Sequence, residues 1–383
     1  YVDIPDPNLN TALRQACNKP PFILDPTPLT NLDLAKLTGT LHVPNKGIKD
    51  LEGIQYCINI TQLNVYENPL TSFPDMTYMT GLQILKMADC QLTEIPPAVA
   101  TIPHLIILDL SDNQISSIAP GLGFPSLTHI DLYNNKFTVF PDALLGYKTL
   151  QLIGLTKNSL KSLPDALGKM PNLAYLYVDF NKLTSLPASL GTGKLESLGV
   201  VGNQLTSLPN SIGNLKTLQY FDASVNQLRQ LPDGIGNLDC QYIDLSFNYL
   251  DISPGSKTLH LINKISAKEK HYEAQLIPVR NLKATPGKDQ IKVTWDPCPD
   301  VIEDAENQGF VSHYDVYLKE NNKLSLLGSV QKSASPSYID TGLAPGAKRD
   351  YSIAVIYEVE YYLGSAVSRS YSTISGEIPT EET

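Results

Sequence analysis

Asn68, Asn113, Asn135, Asn158, Asn181, Asn203, Asn226 and Asn248 recur along this chain, with Cys90 in the one missing place, at steps of 22 or 23 residues. A fixed period of this size restricts the fold to a stack of similar coils. A single coil of that length cannot bury its own apolar edge, so stability must come from neighbours stacked on either side. Around each asparagine an aliphatic or aromatic residue stands eight, five and three positions before and two after, as in Leu127, Ile130, Leu132, Asn135 and Phe137.

The frame has a physical reading. Each coil makes one short strand and then turns sharply, which leaves backbone groups without strand partners, and such groups are costly when buried. An inward Asn carries two donors and an acceptor and can satisfy the turns of its own coil and the next, whereas Cys90 supplies only a weak donor. Together the frame and the rung identify a leucine-rich repeat array. A second code follows each rung: Phe73-Pro74, Ile95-Pro96, Phe140-Pro141, Leu163-Pro164, Leu186-Pro187, Leu208-Pro209 and Leu231-Pro232. Proline lacks an N–H, so the return segments are expected to form short 3₁₀ or irregular turns closed by Gly168, Gly213 or Gly236.

Both ends of the array point to a family. Ile4-Pro5-Asp6-Pro7-Asn8-Leu9 with Ala12 to Cys17, Leu34-Ala35-Lys36-Leu37, and the run Gly47 to Cys57 resemble the helical cap and first coil of bacterial internalin-like surface proteins. Aligned through Leu41, Val43 and Ile48, Lys46 takes the place of the first asparagine, a degenerate rung 22 residues before Asn68. Leu259, Ile262 and Ile265 read as an amphipathic helix that shields the last coil. Tyr272-Glu273-Ala274-Gln275 resembles the closing strand of the same family. From about Ile277 the period changes to strand alternation, in Gln290 to Trp295 and Tyr314 to Leu318. Gly342-Leu343-Ala344-Pro345-Gly346 before Tyr351, with the lone Trp295, resembles a fibronectin type III sandwich with its tyrosine corner.

The expected architecture is therefore an α/β solenoid, a leucine-rich repeat horseshoe with a helical N-terminal cap over 1–40. Repeats and a C-terminal cap fill 41–276, an all-β fibronectin type III (Ig-like) sandwich 277–375, and a tail 376–383. A formal charge of −10 argues against a nucleic-acid partner, and no run of 18 apolar residues offers a transmembrane helix. The resemblance, not the periodicity, implies a bacterial, secreted or cell-surface protein. No C-x-x-C occurs among the five cysteines, so no zinc or other metal site is expected. Cys90 and Cys240 read as buried thiols, Cys298 has no visible partner, and a Cys17–Cys57 pair in the cap stays open.

Nucleophile elbow, P-loop, H-E-x-x-H and dinucleotide fingerprints are all missing, and no cofactor is implied. His129 beside Asp109 and Asp131 suggests a base, but an open sheet offers no nucleophile or dry pocket. The informative chemistry lies on strand positions that point away from the core. Six, four and two places before each rung these positions include Ile84, Ile107 and Leu152, together with Asp109, His129, Asp131, Tyr133, Tyr175, Tyr177, Asp179, Tyr220, Asp222, Tyr242 and Asp244. Asp109 beside Asp131 and Asp222 beside Asp244 put like charges on neighbouring strands. Tyrosine suits any strand surface, so one reading is an ordinary solvated sheet. The other is a concave binding face, since Tyr is enriched at interfaces. The expected function is non-enzymatic recognition and adhesion through a protein ligand on that face. The alternative is a glycan-binding module, with Tyr stacking on sugar rings and Asp accepting hydroxyls.

Overall fold

The structure, a computed structural model, describes residues 1–302, 307–321, 323–361 and 364–377, so most of the expected tail lies outside the described residues. Eleven strands, β1 to β11, form one sheet in sequence order. The chain packs as two compact units: Tyr1–Gly199 with Ser211–Tyr220, and Val200–Asn210 with the residues from Phe221 onward.

In the first unit α1 (Pro7–Ala16) starts with Pro at its first turn, and the N-cap Asp6 accepts from Asn8 and Leu9 N–H. Its second oxygen accepts from Lys49 and Asp50 N–H at 2.7 and 3.2 Å, tying the helix to the first coil. Burial pushes the Asp6 carboxyl up, but these four N–H donors outweigh it and hold the pKa below the ordinary value. The short α2 (Asn31–Leu34) opens on a capping box between Thr30 and Asp33. Cys17 and Cys57 are both free thiols. Burial, with Cys17 adding to it, pushes the Cys57 thiol up to about 12.

The strands that follow are β1 (Gly39–His42), β2 (Ile60–Asn64), β3 (Ile84–Lys86), β4 (Ile107–Asp109), β5 (His129–Asp131), β6 (Leu152–Gly154), β7 (Tyr175–Tyr177) and β8 (Ser197–Gly199). All pair in parallel, and the inward residues Leu63, Leu85, Leu108, Ile130, Ile153, Leu176 and Leu198 stand in one register. These seven are fully buried.

The asparagine ladder holds the turns as its chemistry requires. Asn158 Nδ2 donates to Leu132, Leu155 and Thr156 carbonyls at 2.9, 3.1 and 3.3 Å, and its Oδ1 accepts from Phe137 N–H at 3.0 Å. Asn68 Oδ1 accepts from Lys46 and Ile48 N–H, so Lys46 is a rung by backbone only. Cys90 donates through sulfur to Val65 and Ala88 carbonyls. Leu70 N–H turns instead to Asn68 O at 2.8 Å, whereas the corresponding Leu92 N–H donates to Asn113 Oδ1.

The residue before nearly every rung is left-handed, including Glu67, Asp89, Asp112, Asn134, Lys157 and Phe180, with φ between 49 and 56°. Such a conformation costs an L-residue about 1 kcal/mol or more, and the ladder contacts hold it in place. On the return side the expected 3₁₀ turns are present, as in Asp165–Lys169 and Ala188–Thr192. A Cβ on Gly168 would sit 1.9 Å from Ser189 O, and one on Gly191 2.2 Å from Ser211 O. Glycine is required there because adjacent turns touch backbone to backbone.

Further along the chain come β9 (Tyr220–Asp222), β10 (Asp239–Asp244), α3 (Lys257–Lys264) and β11 (Ser266–His271). The closing strand is β11, parallel to β10 with Tyr242 opposite Glu269, not Tyr272 to Gln275. The chain re-enters the sheet directly after α3, which Ser256 caps through Leu259 N–H. Gln275 has a different duty: its Nε2 donates to Leu245 and Tyr272 carbonyls and its Oε1 accepts from Leu250 N–H. It is a final rung with one more methylene.

Beyond it, β12 (Lys283–Pro286), β13 (Gln290–Thr294) and β17 (Ser337–Thr341) form a three-stranded sheet. A second sheet orders β14 (Val301–Ile302), β15 (Gln308–Glu320), β18 (Lys348–Tyr361) and β19 (Gly364–Glu377), with β16 (Lys323–Gln331) on β15. Buried Trp295 meets Tyr314 edge-on with ring centroids 5.4 Å apart. Tyr351 donates to Asp340 Oδ2 at 2.8 Å.

Candidate ligand-binding face

In the first unit the parallel register aligns Ile107, His129, Leu152 and Tyr175 in one outward row and Asp109, Asp131, Gly154, Tyr177 and Gly199 in the next. Alternation forces this, because Leu108, Ile130, Ile153 and Leu176 occupy the inward places between them. Asp109, His129, Asp131, Tyr133, Tyr175 and Tyr177 are all half-buried.

The aspartates first serve the fold. Asp109 accepts from Ser111 N–H and Oγ at 3.0 and 2.6 Å, and Asp131 accepts from Tyr133 N–H at 2.9 Å. Asp131 pays for its place: burial, helped by Asp109 and Asp112, raises its carboxyl pKa to about 6. His129 Nδ1 bonds Thr128 Oγ1 at 2.7 Å rather than a carboxylate, so the base-and-acid pairing suggested by its sequence position is not formed.

Glycines shape the rest. A Cβ on Gly154 would lie 2.9 Å from Asp131 Oδ1, and one on Gly199 2.7 and 2.8 Å from the Asp179 oxygens. The two carboxylates therefore lean over glycine backbone on either side of Tyr177, and no bulky neighbour in that row crowds its ring. Thr156 Oγ1 donates to Asp179 Oδ2 at 3.1 Å, and Tyr175 OH donates to Glu196 at 2.9 Å. Lys157 Nζ sits 5.1 Å from the centre of the Tyr133 ring, a cation–π contact. Sequence reasoning assigned no role to Gly154, Gly199, Lys157 or Glu196. The two glycines carried a signal, since they hold one station of the repeat two coils apart.

The later strands correct an expectation. Asp222 and Asp244 are 0 and 3 % exposed, and Asp179 is 5 % exposed, so these carboxylates are not open on a solvated sheet. Asp222 accepts from Ser224 N–H and Oγ at 3.0 and 2.6 Å. Asp244 accepts from Ser246 N–H at 2.8 Å and from its hydroxyl, and from Tyr242 OH at 3.2 Å. Each aspartate caps its own turn, which is why the like charges are tolerated. Tyr220 and Tyr242 stay half-buried, and Tyr242 stacks at a tilt on His271, with ring centroids 5.3 Å apart. Asn64 is also buried, its Oδ1 accepting from Tyr66 N–H. Among the described residues no three His, Cys, Asp or Glu side chains converge as a metal would require, and no helix there is long and apolar enough to cross a membrane.

Comparison with known proteins bears on the repeats. A leucine rich repeat model matches residues 125–183, and a two-copy leucine rich repeat model matches 103–142. Receptor like protein 22 of Arabidopsis thaliana is 32 % identical over 91 residues, 22 % of this chain and 12 % of that protein. Human oligodendrocyte-myelin glycoprotein is 32 % identical over 103 residues, 26 % of this chain and 23 % of its own length. The chain thus spans less than a quarter of either relative. Among solved structures, the Drosophila Toll–Spatzle complex aligns with a TM-score of 0.52 at 19 % identity, over 65 % of this chain and 40 % of that one. Internalin C2 of Listeria monocytogenes aligns at 0.42 and 24 % identity, over 59 % of this chain and 87 % of that one. Listeria monocytogenes InlP aligns at 0.45 and 17 % identity, over 97 and 96 %. The two leucine rich repeat models together cover residues 103–183, within the ladder and parallel sheet already described.

Proposed function

We propose that the chain is a non-enzymatic recognition protein whose outward strand face in the first unit binds a protein ligand. The observation that carries this reading is the patch formed by Ile107, Leu152, Tyr133, Tyr175 and Tyr177, aliphatic and aromatic groups left half-exposed on the strands or, for Tyr133, two residues beyond one. None of them is needed to fill the core, and rigid tyrosines supply contact area at low entropic cost. Asp109 and Asp131 add negative charge for a basic partner, with His129 beside them. Tyr220 in the first unit and Tyr242 in the second are further half-buried outward tyrosines, whereas buried Asp179, Asp222 and Asp244 act as supports. We further propose that residues 1–40 are a cap, 41–276 the repeats with their closing cap, and 277–375 a fibronectin type III-like sandwich. The order β12-β13-β17 against β16-β15-β18-β19 supports the last assignment. The resemblance to internalins supports a secreted or surface-exposed bacterial protein.

A glycan ligand is the second reading, favoured by Tyr177 standing between two glycines with Thr156 and Asp179 close by. A pull-down from solubilised host surface proteins, run beside a glycan array, separates the two. With the captured ligand, Tyr175→Ala/Tyr177→Ala is expected to weaken binding at least about tenfold without moving the circular dichroism melt. Tyr177→Ala/Tyr220→Ala should do the same. Unchanged affinity in both variants would remove the strand face from the binding site.

A further inference from the structure

Away from the strand face, the first two coils leave a second feature unexplained. A groove of about 480 Å³ is lined by Glu52, Gln55, Tyr56, Ile58, Pro74, Asp75 and Tyr78. Tyr56 and Tyr78 are 22 residues apart and each ten places after its rung, hence at the same station of successive coils, where the next two coils carry Ala100 and Gly123. Tyr56, Ile58 and Tyr78 are 39, 37 and 74 % exposed, a concentration of exposed aromatic and aliphatic surface, while Pro74 beside them is buried.

The groove has charge of one sign only: two carboxylates line it and no Lys, Arg or His. Both are fixed in place. Glu52 Oε1 accepts from Gln55 Nε2 at 2.6 Å. Asp75 Oδ1 accepts from Thr77 N–H at 2.9 Å and from the Thr77 and Thr101 hydroxyls, which hold its carboxyl below the usual pKa. The second oxygen of each carboxylate stays open to a ligand. Aromatic faces beside preoriented carboxylates suit a planar cation, since guanidinium stacks on rings and pairs with carboxylates more readily than a strongly hydrated ammonium does. The chain already uses that contact internally, with the Arg14 guanidinium 5.6 Å from the Phe22 ring centre.

We propose that this groove is a docking site, separate from the strand face, for an arginine-bearing extended segment of a partner protein. The guanidinium lies against the Tyr56 and Tyr78 rings and pairs with Glu52 or Asp75, while Ile58 and Pro74 take the apolar flank.

The test is fluorescence anisotropy on the whole chain with a fluorescein-labelled octapeptide carrying two arginines in an alanine–proline background. A twin peptide carries citrulline, which keeps the shape and loses the charge. Saturable binding of the arginine peptide is expected, at least about tenfold weaker for citrulline, for Tyr56→Ala/Tyr78→Ala, and for the shape-conserving Glu52→Gln/Asp75→Asn. Tyr175→Ala/Tyr177→Ala should leave it unchanged, so failure of the strand-face reading and failure of this one are distinguishable. Absence of saturable binding, equal binding of citrulline, or undiminished binding by the carboxamide variant would overturn the proposal. The carboxamide variant decides even if the tyrosine double variant folds poorly.

Discussion

Replacing Asn158 by Ala tests whether the ladder carries the array, and the structure fixes how much should be lost. Asn158 makes four hydrogen bonds and is 9 % exposed. Three of its partners are carbonyls with a second donor: Leu132 O also accepts from Asn135 Nδ2, Leu155 O from Asn181 Nδ2, and Thr156 O from Asn134 N–H. Those carbonyls lose a bond but are not orphaned. Phe137 N–H has Asn158 Oδ1 as its acceptor and is left buried without one. An orphaned buried N–H costs about 1–3 kcal/mol, and each lost but replaceable bond about 0.5 kcal/mol, giving roughly 3 kcal/mol in all. For a unit of this size that corresponds to a fall in melting temperature of about 6 °C or more. Calorimetry on the parent, Asn158→Ala and the control Gln114→Ala measures it. Gln114 is exposed and uses only its backbone, donating from N–H to Leu92 O. Equal melting temperatures for the two variants would refute the claim that Asn158 satisfies buried turns.

Gln275→Ala should cost about 2 kcal/mol, since Leu250 N–H and Leu245 O are served by it; a melt indistinguishable from the parent's would deny it the role of a closing rung. The raised pKa of Asp131, about 6 against an ordinary 3.8, sets a pH dependence. Its folded form holds the proton more tightly, so its stabilising contribution is present below about pH 3.8 and is lost as pH rises through about 6. Asp131→Asn keeps the acceptor for Tyr133 N–H and removes the charge. The variant's stability relative to the parent should therefore grow between pH 4 and pH 7.5 on the same linkage, and a constant difference would show that Asp131 is not desolvated.

The period, the register and the inward or outward sense of the residues in the repeat strands were legible in the sequence because they depend on local spacing alone. Leu108, Ile130 and Leu176 had to face inward once Asn113, Asn135 and Asn181 were identified as rungs. The return turns were legible for the same reason, through the apolar-proline pairs. Burial of an outward residue is decided by what else packs around it. Asp222 and Asp244 share a station with the half-open Asp109 and Asp131, yet they are closed off from solvent and bonded to Ser224 and Ser246. Gln275 became a rung without the period, because the last coil is followed by a helix and a strand instead of another repeat, and the longer side chain spans the altered distance. Tyr272 to Gln275 look strand-like in isolation, but the final open edge of β10 was already taken by Ser266–His271. Local sequence set which groups needed partners; only the tertiary structure decided which partners were within reach.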